Sequence, residues 1–131
     1  MEKDFDNWNT RKKDLHAKKR YPTFKEREVW WCYVGTNIGH EIDGPGTDFL
    51  RPALILRRFN EHVAWVLPLT RTKKGKPFYH TLRTKRLMDS RIILSQLRLI
   101  SSKRLRSLMA RVSPAEFQEI QDELNGLIYK R

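Results

Sequence analysis

The sequence predicts a mainly β fold completed by a C-terminal helix, α+β in class, with a helical arm in front. Three observations predict it. Aromatic and β-branched runs recur at 29–34, 52–59 and 62–70, separated by glycine-, proline- or asparagine-bearing loops. Late in the chain, Ser113-Pro114-Ala115-Glu116 opens an apolar stripe at helical spacing. Before residue 25 the chain is polar and highly charged. About five to seven curved antiparallel strands, followed by helix, give a small barrel-like β architecture.

In chain order, Phe5, Trp8 and Leu15 place a helix over roughly 5–19, which Pro22 ends. Residues 1–24 are too poor in apolar groups to fold alone, so they form an arm that packs on the domain through Phe5 and Trp8. Val29-Trp30-Trp31-Cys32-Tyr33-Val34 is the first strand. Residues 35–50 hold four glycines and Pro45 and form an irregular loop. Pro52 to Phe59 is the second strand and His62 to Thr70 the third. The short Asn60-Glu61 turn between them argues for antiparallel pairing. Phe78–Leu82 and Ser90–Leu94 supply two more strands, and Ser101 caps a short helix through Met109. Phe117, Ile120, Leu124 and Leu127 then form the apolar stripe of the last helix.

Composition narrows the function. The 131 residues suit one domain with a core of its own. The single cysteine, Cys32, excludes an intrachain disulfide and a cysteine-based zinc site. No apolar run approaches the ~20 residues of a membrane span, and Met1-Glu2-Lys3-Asp4 does not open a signal segment. A cytoplasmic protein without membrane attachment is expected. Twenty-seven Lys and Arg against fifteen acids give a net charge of +12, which selects polyanionic partners. Residues 71–91 concentrate eight cations (Arg71, Lys73, Lys74, Lys76, Arg83, Lys85, Arg86, Arg91) against Asp89 alone. Residues 98–111 carry five cations and no acid.

The chemistry concentrates between positions 39 and 52. His40, Glu41 and Arg51 sit on or beside a glycine-rich loop between two apolar strands. An imidazole, a carboxylate and a guanidinium handle a proton and a phosphate. Arg51 offers an always-charged fork for a phosphate oxygen pair. Thr70, at the end of the third strand, can donate a hydrogen bond to a phosphate. His40 and Glu41 are alternative bases. Trp30 and Trp31 point to opposite faces of the sheet, one into the core and one to a groove or interface. Trp30, Lys73, Lys74, Lys76, Phe78, Ser95 and Gln96 are the candidate RNA-binding residues, with Tyr79 an alternative stacking ring to Phe78.

These segments, in order, resemble the MazF/PemK family of toxin endoribonucleases. The family's E-I-W-W strand corresponds to Glu28-Val29-Trp30-Trp31, and its G-H-E-Q-x-G loop to Gly39-His40-Glu41-Ile42-Asp43-Gly44. R-P-x-L-I-L corresponds to Arg51-Pro52-Ala53-Leu54-Ile55-Leu56, and P-L-T to Pro68-Leu69-Thr70. Leu94-Ser95-Gln96-Leu97-Arg98-Leu99-Ile100, then Arg104-Leu105, follows the family's L-x-Q-x-R-x-I run. The likeness spans about 27–128, which sets a 25–131 toxin domain behind the 1–24 arm. Pro45 to Leu50 is an insertion, and Ser95 replaces an acidic residue common in the family.

The resemblance implies an SH3-like small barrel, a homodimer, and metal-independent, cofactor-free cleavage of single-stranded RNA. It also implies neutralisation by a cognate antitoxin. Arg51 and Thr70 match the family's catalytic pair. Attack by the RNA 2′-OH would leave a 2′,3′-cyclic phosphate and a 5′-OH. The alternatives are a CcdB-like toxin that inhibits gyrase on a similar fold, and a non-catalytic basic RNA-binding module.

Overall fold

The computed structural model describes residues 2–72 and 78–129. Two helices flank seven strands: α1 (Phe5–Ala17), β1 (Glu28–Tyr33), β2 (Leu50–Arg58), β3 (Val63–Thr70), β4 (Tyr79–Thr81), β5 (Arg91–Ile93), β6 (Arg98–Ser101), β7 (Leu105–Arg111) and α2 (Pro114–Tyr129). Every strand pair is antiparallel. The hydrogen-bonded order is β4-β5-β3-β2-β1-β7, and β6 also pairs with β3. The mainly β fold with a C-terminal helix matches expectation, although the strand order does not close a ring.

The continuous apolar run of β2 has a simple cause: both faces of the strand are covered. Leu54 and Leu56 join Val29, Leu67 and Leu69 beneath Phe117, Ile120 and Leu124 of α2. Ala53 and Ile55 point the other way, into a cluster with Phe24, Trp30, Cys32, Ile100 and Leu105. Asn60 closes the β2–β3 hairpin by accepting hydrogen bonds from the His62 and Val63 amides at 2.8 and 3.0 Å. A register shift between Ile55 and Arg57 bends the β2–β3 ladder. Strand β3 then forks: Val63–Val66 pair with β6, and Leu69–Thr70 with β5. That fork brings Thr70 to the boundary between two ladders.

Two expectations change. The helix expected over 101–109 is instead a 3₁₀ turn, Ser102–Arg104, followed by β7. Ser101 does cap, accepting from the Lys103 amide at 3.2 Å, but only for that one turn. Residues 105–111 pair along β1, where tertiary pairing overrides helix propensity. The arm docks through Trp8 and Leu15, both 6% exposed, against Tyr33 and Phe49; Phe5 faces outward, 49% exposed.

At the start of α2 the capping signal works as expected: Ser113 Oγ accepts from the Glu116 amide at 3.3 Å. The Glu116 carboxylate is diverted from the cap. It accepts from the Thr84 amide (2.7 Å), the Thr84 hydroxyl (2.6 Å) and the Arg83 amide (2.7 Å), and faces His80 Nε2 at 2.8 Å. His80 is buried on β4, with Glu123 at 2.8 Å from its other ring nitrogen. Burial alone would raise the Glu116 carboxyl, but the hydrogen bonds from Thr84, His80 and the two amides outweigh it and hold it at about 2. This polar knot ties α2 to β4 and the 82–84 turn.

Candidate active site

Arg51 lies on β2 opposite Cys32 of β1. Its Nε donates to the Asp43 carbonyl at 2.6 Å and its Nη1 to the Leu69 carbonyl at 3.1 Å. Two backbone oxygens from different elements therefore fix the guanidinium plane. Burial lowers its pKa, with Asp43 and Tyr79 acting in the opposite sense; an arginine remains charged. Thr70 ends β3, next to Leu69. Its hydroxyl donates to Thr72 Oγ1 and accepts from the Thr72 amide, both at 3.2 Å. Arg51 and Thr70 line one cleft of about 280 Å³ together with Trp31, Pro52, Leu69 and Arg71. Residues 19 apart in sequence thus share a concave, cationic surface able to hold a phosphate between a guanidinium and a hydroxyl.

The 37–43 segment adjoins this cleft through the Asp43 carbonyl. Its turn is held from within: Glu41 Oε1 accepts from the Ile38 amide at 3.0 Å, and Asp43 Oδ1 from the Asn37 amide at 2.7 Å. Glu41 is engaged as a turn cap. His40 is exposed, and its carbonyl accepts from Gln96 Nε2 at 3.3 Å. Gln96 Oε1 also accepts from the Ile42 amide at 3.2 Å, so Gln96 pins the loop to the 3₁₀ turn after β5. Glu41, Ser95, Gln96 and Arg98 line a second cleft of about 250 Å³. Neither His40 nor Glu41 lines the Arg51–Thr70 cleft.

Trp30 requires a correction. It is buried at 8% exposure within a core cluster, its indole N–H donating to Glu28 at 3.1 Å, so it cannot stack a base. Its neighbour Trp31, on the opposite face, lines the Arg51–Thr70 cleft. Phe78 is exposed and lines a separate depression with Leu94, Leu97 and Leu127. Lys73, Lys74 and Lys76 lie outside the described residues.

One supporting residue escaped the sequence reading. Lys3, whose side chain is 8% exposed, donates to the carbonyls of Asn37 (2.5 Å) and Gly39 (2.9 Å) and pairs with Asp43 at 3.1 Å. The arm thereby grips the same loop whose Asp43 carbonyl orients Arg51. The 45–50 insertion is held by the arm as well. Phe49 adopts a left-handed φ of 58° and packs against Trp8 with ring centroids 5.4 Å apart. No local signal in the first five residues marks Lys3, because its three acceptors lie at least 34 positions away.

The fold is that of a small open antiparallel sheet with a C-terminal helix and an arginine–threonine cleft across two central strands. Residues 25–128 match the PemK-like, MazF-like toxin of type II toxin–antitoxin systems, and the chain belongs to that family. Solved structures share the fold. MazF from Deinococcus radiodurans is 21% identical with a TM-score of 0.63, over 84% of this chain and 98% of that one. A MazE–MazF structure from the same organism gives 19% and 0.63, over 86% and 100%. An endoribonuclease in complex with its cognate antitoxin, from a mycobacterial species, gives 15% and 0.61, over 81% and 95%. No curated protein matches the chain in sequence.

Proposed function

We propose that this toxin is a metal-independent endoribonuclease that cleaves single-stranded mRNA in the cytoplasm, arrests translation, and is neutralised by a cognate antitoxin. The observation that carries the reading is the shared cleft of Arg51 and Thr70. The Arg51 fork and the Thr70 hydroxyl hold the scissile phosphate. The RNA 2′-OH attacks phosphorus, and negative charge accumulates on oxygens facing the guanidinium. The P–O5′ bond breaks as the P–O2′ bond forms, the 5′-oxygen takes a proton from solvent, and the products carry a 2′,3′-cyclic phosphate and a 5′-OH. His40, exposed on the adjoining turn, is the proposed proton acceptor, whereas Glu41 serves the turn as a cap. Ser95 and Gln96, beside Arg98 in the second cleft, continue the RNA path. Lys73, Lys74 and Lys76 add phosphate contacts beyond Thr70, and Phe78 stacks a base. The working unit is a homodimer. The family match and the solved structures of a related endoribonuclease bound to its antitoxin support the partner and the reaction.

Incubation with single-stranded RNA in EDTA, followed by end mapping, tests this. Cyclic-phosphate ends that disappear in Arg51→Ala are expected. RNA left intact across varied sequences would overturn the reading and turn attention to a gyrase target.

A further inference from the structure

A cleft wider than the Arg51–Thr70 site lies elsewhere among the described residues. It lies between α1 and the 3₁₀ turn after β6, encloses about 410 Å³, and has no Asp or Glu in its lining. Lys12, Lys13 and His16 form one wall, along one face of α1; Lys103 and Arg104 form the other. α1 lies wholly outside the family match at 25–128, so this cleft is a feature that the arm adds to the family fold.

The cations of the second wall are aimed by fixed contacts. Arg104 Nη1 donates to the Tyr33 carbonyl at 3.1 Å, and the guanidinium stacks 5.6 Å from the Trp8 ring. Lys103 Nζ donates to the His16 carbonyl at 2.8 Å, bridging the two walls. Each uses a fraction of its N–H donors in this way and has others to offer. Arg98 Nη1 donates to the Val34 carbonyl at 3.3 Å, one residue on from the Tyr33 carbonyl that Arg104 holds, and Arg98 lines the second cleft beside Ser95 and Gln96. Neither arginine is within ion-pair distance of a carboxylate among the described residues. Two partly buried guanidiniums with spare N–H donors can receive an anion between or over them.

The cations thus run from Lys12 and Lys13, through Arg104 and Arg98, to the Gln96 region of the site. We propose that this arm cleft is an extended subsite for the phosphodiester backbone of single-stranded RNA, several nucleotides away from the scissile bond. The proposal rests on reading the Arg51–Thr70 cleft as an RNA site. Phosphodiester fits better than an acidic protein helix, because a helix needs an apolar socket for its anchors. Trp8 and Leu15, the apolar members of this cleft, are already covered by the fold at 6% exposure. Every ionisable side chain that lines the cleft is basic.

The test is fluorescence anisotropy with 2′-O-methyl RNA, which binds but lacks the attacking hydroxyl, in a short form of about 5 nucleotides and a long form of about 15. The variant is Lys12→Glu/Lys13→Glu, two exposed positions outside the core clusters, with its fold checked by thermal melting. Two single-strand phosphate contacts are worth a slope of about 1.4 in log K against log salt, so wild type should lose roughly sevenfold more affinity than the variant between 50 and 200 mM salt. That gap should appear with the long oligomer and vanish with the short one. Equal slopes on the long oligomer would overturn the subsite, as would no binding by wild type. So would an Asp/Glu-rich peptide whose binding depends on Lys12 and Lys13 when oligomer binding does not. Cleavage of unmodified RNA is scored separately. An arm-dependent slope with intact RNA would uphold the subsite and sink the nuclease reading; cleavage with an arm-independent slope would do the reverse.

Discussion

Arg51 is held by two carbonyls through two different nitrogens of one planar fork, an orientation that the single nitrogen of a lysine does not reproduce. Arg51→Lys should therefore fail nearly as badly as Arg51→Ala, each lowering single-turnover cleavage by about 10²–10³-fold. Thr70→Val, which keeps the shape and removes the hydroxyl, should cost a comparable factor. Retention of most activity in Arg51→Lys would show that charge alone suffices. Glu116 makes a different prediction, about stability. Its folded carboxyl sits at about 2 against an ordinary 4.5, so the unfolded chain binds the proton more readily. The stabilisation is complete above about pH 4.5 and drains away as pH falls toward 2, a loss of the order of 3 kcal/mol. Denaturant midpoints for wild type and Glu116→Gln should converge across that window; curves that stay parallel would contradict it. Residue chemistry was legible where one side chain sufficed: Arg51 and Thr70 were read from sequence as candidates, and they line one cleft. Trp30 and Trp31 were known to face opposite ways, but which one faced the core depended on the strands that cover them.

At the scale of elements, α1 is held by tertiary contacts more than by its own composition. Its mean hydropathy is low and only Trp8 and Leu15 are buried. Trp8 lies over Gly35, whose φ is +84° and whose added Cβ would meet the indole at 2.2 Å. Gly35→Ala should thus be strained twice, in backbone and in contact, and should lift the arm. Trp8→Ala removes the same anchor and should cost about 3 kcal/mol of local stability. Faster tryptic cleavage at Lys12, Lys13 or Lys18 in either variant is the expected readout; unchanged cutting would mean the arm is held instead by Lys3 and by Arg11, which donates to Asp48 at 3.4 Å. Helix α2 was legible because its cap, its first proline and its stripe are local. Strand β7 was not. Leu105 to Ala110 favours a helix by propensity, and only the exposed edge of β1 makes it a strand.

At the scale of the molecule, a charge of +12 favours polyanionic partners through attractions that salt weakens. Cys32 offers a probe of global opening. It is fully buried, and burial pushes its thiol up to about 12 despite Arg104 and Arg98 nearby. A thiol-specific reagent should stay silent at pH 8 in the native state and react fully in denaturant. Rapid native labelling would mean that the β1–β2–β7 core opens locally.

The sequence by itself determined the fold class, the family, the net charge and the two groups suited to a phosphate. Those follow from strand patterning, a local helix cap and side-chain chemistry, all readable over a few neighbouring positions. The tertiary structure alone decided that Arg51 and Thr70 share a cleft, that Glu41 caps a turn, that Trp31 and not Trp30 lines the site, and that Lys3 braces the Asp43 loop. It also decided that the arm and the 3₁₀ turn after β6 enclose a cationic cleft. Each of these depends on pairing between segments far apart in the chain. Such pairing is settled by how buried faces fit together, which no local run of residues specifies.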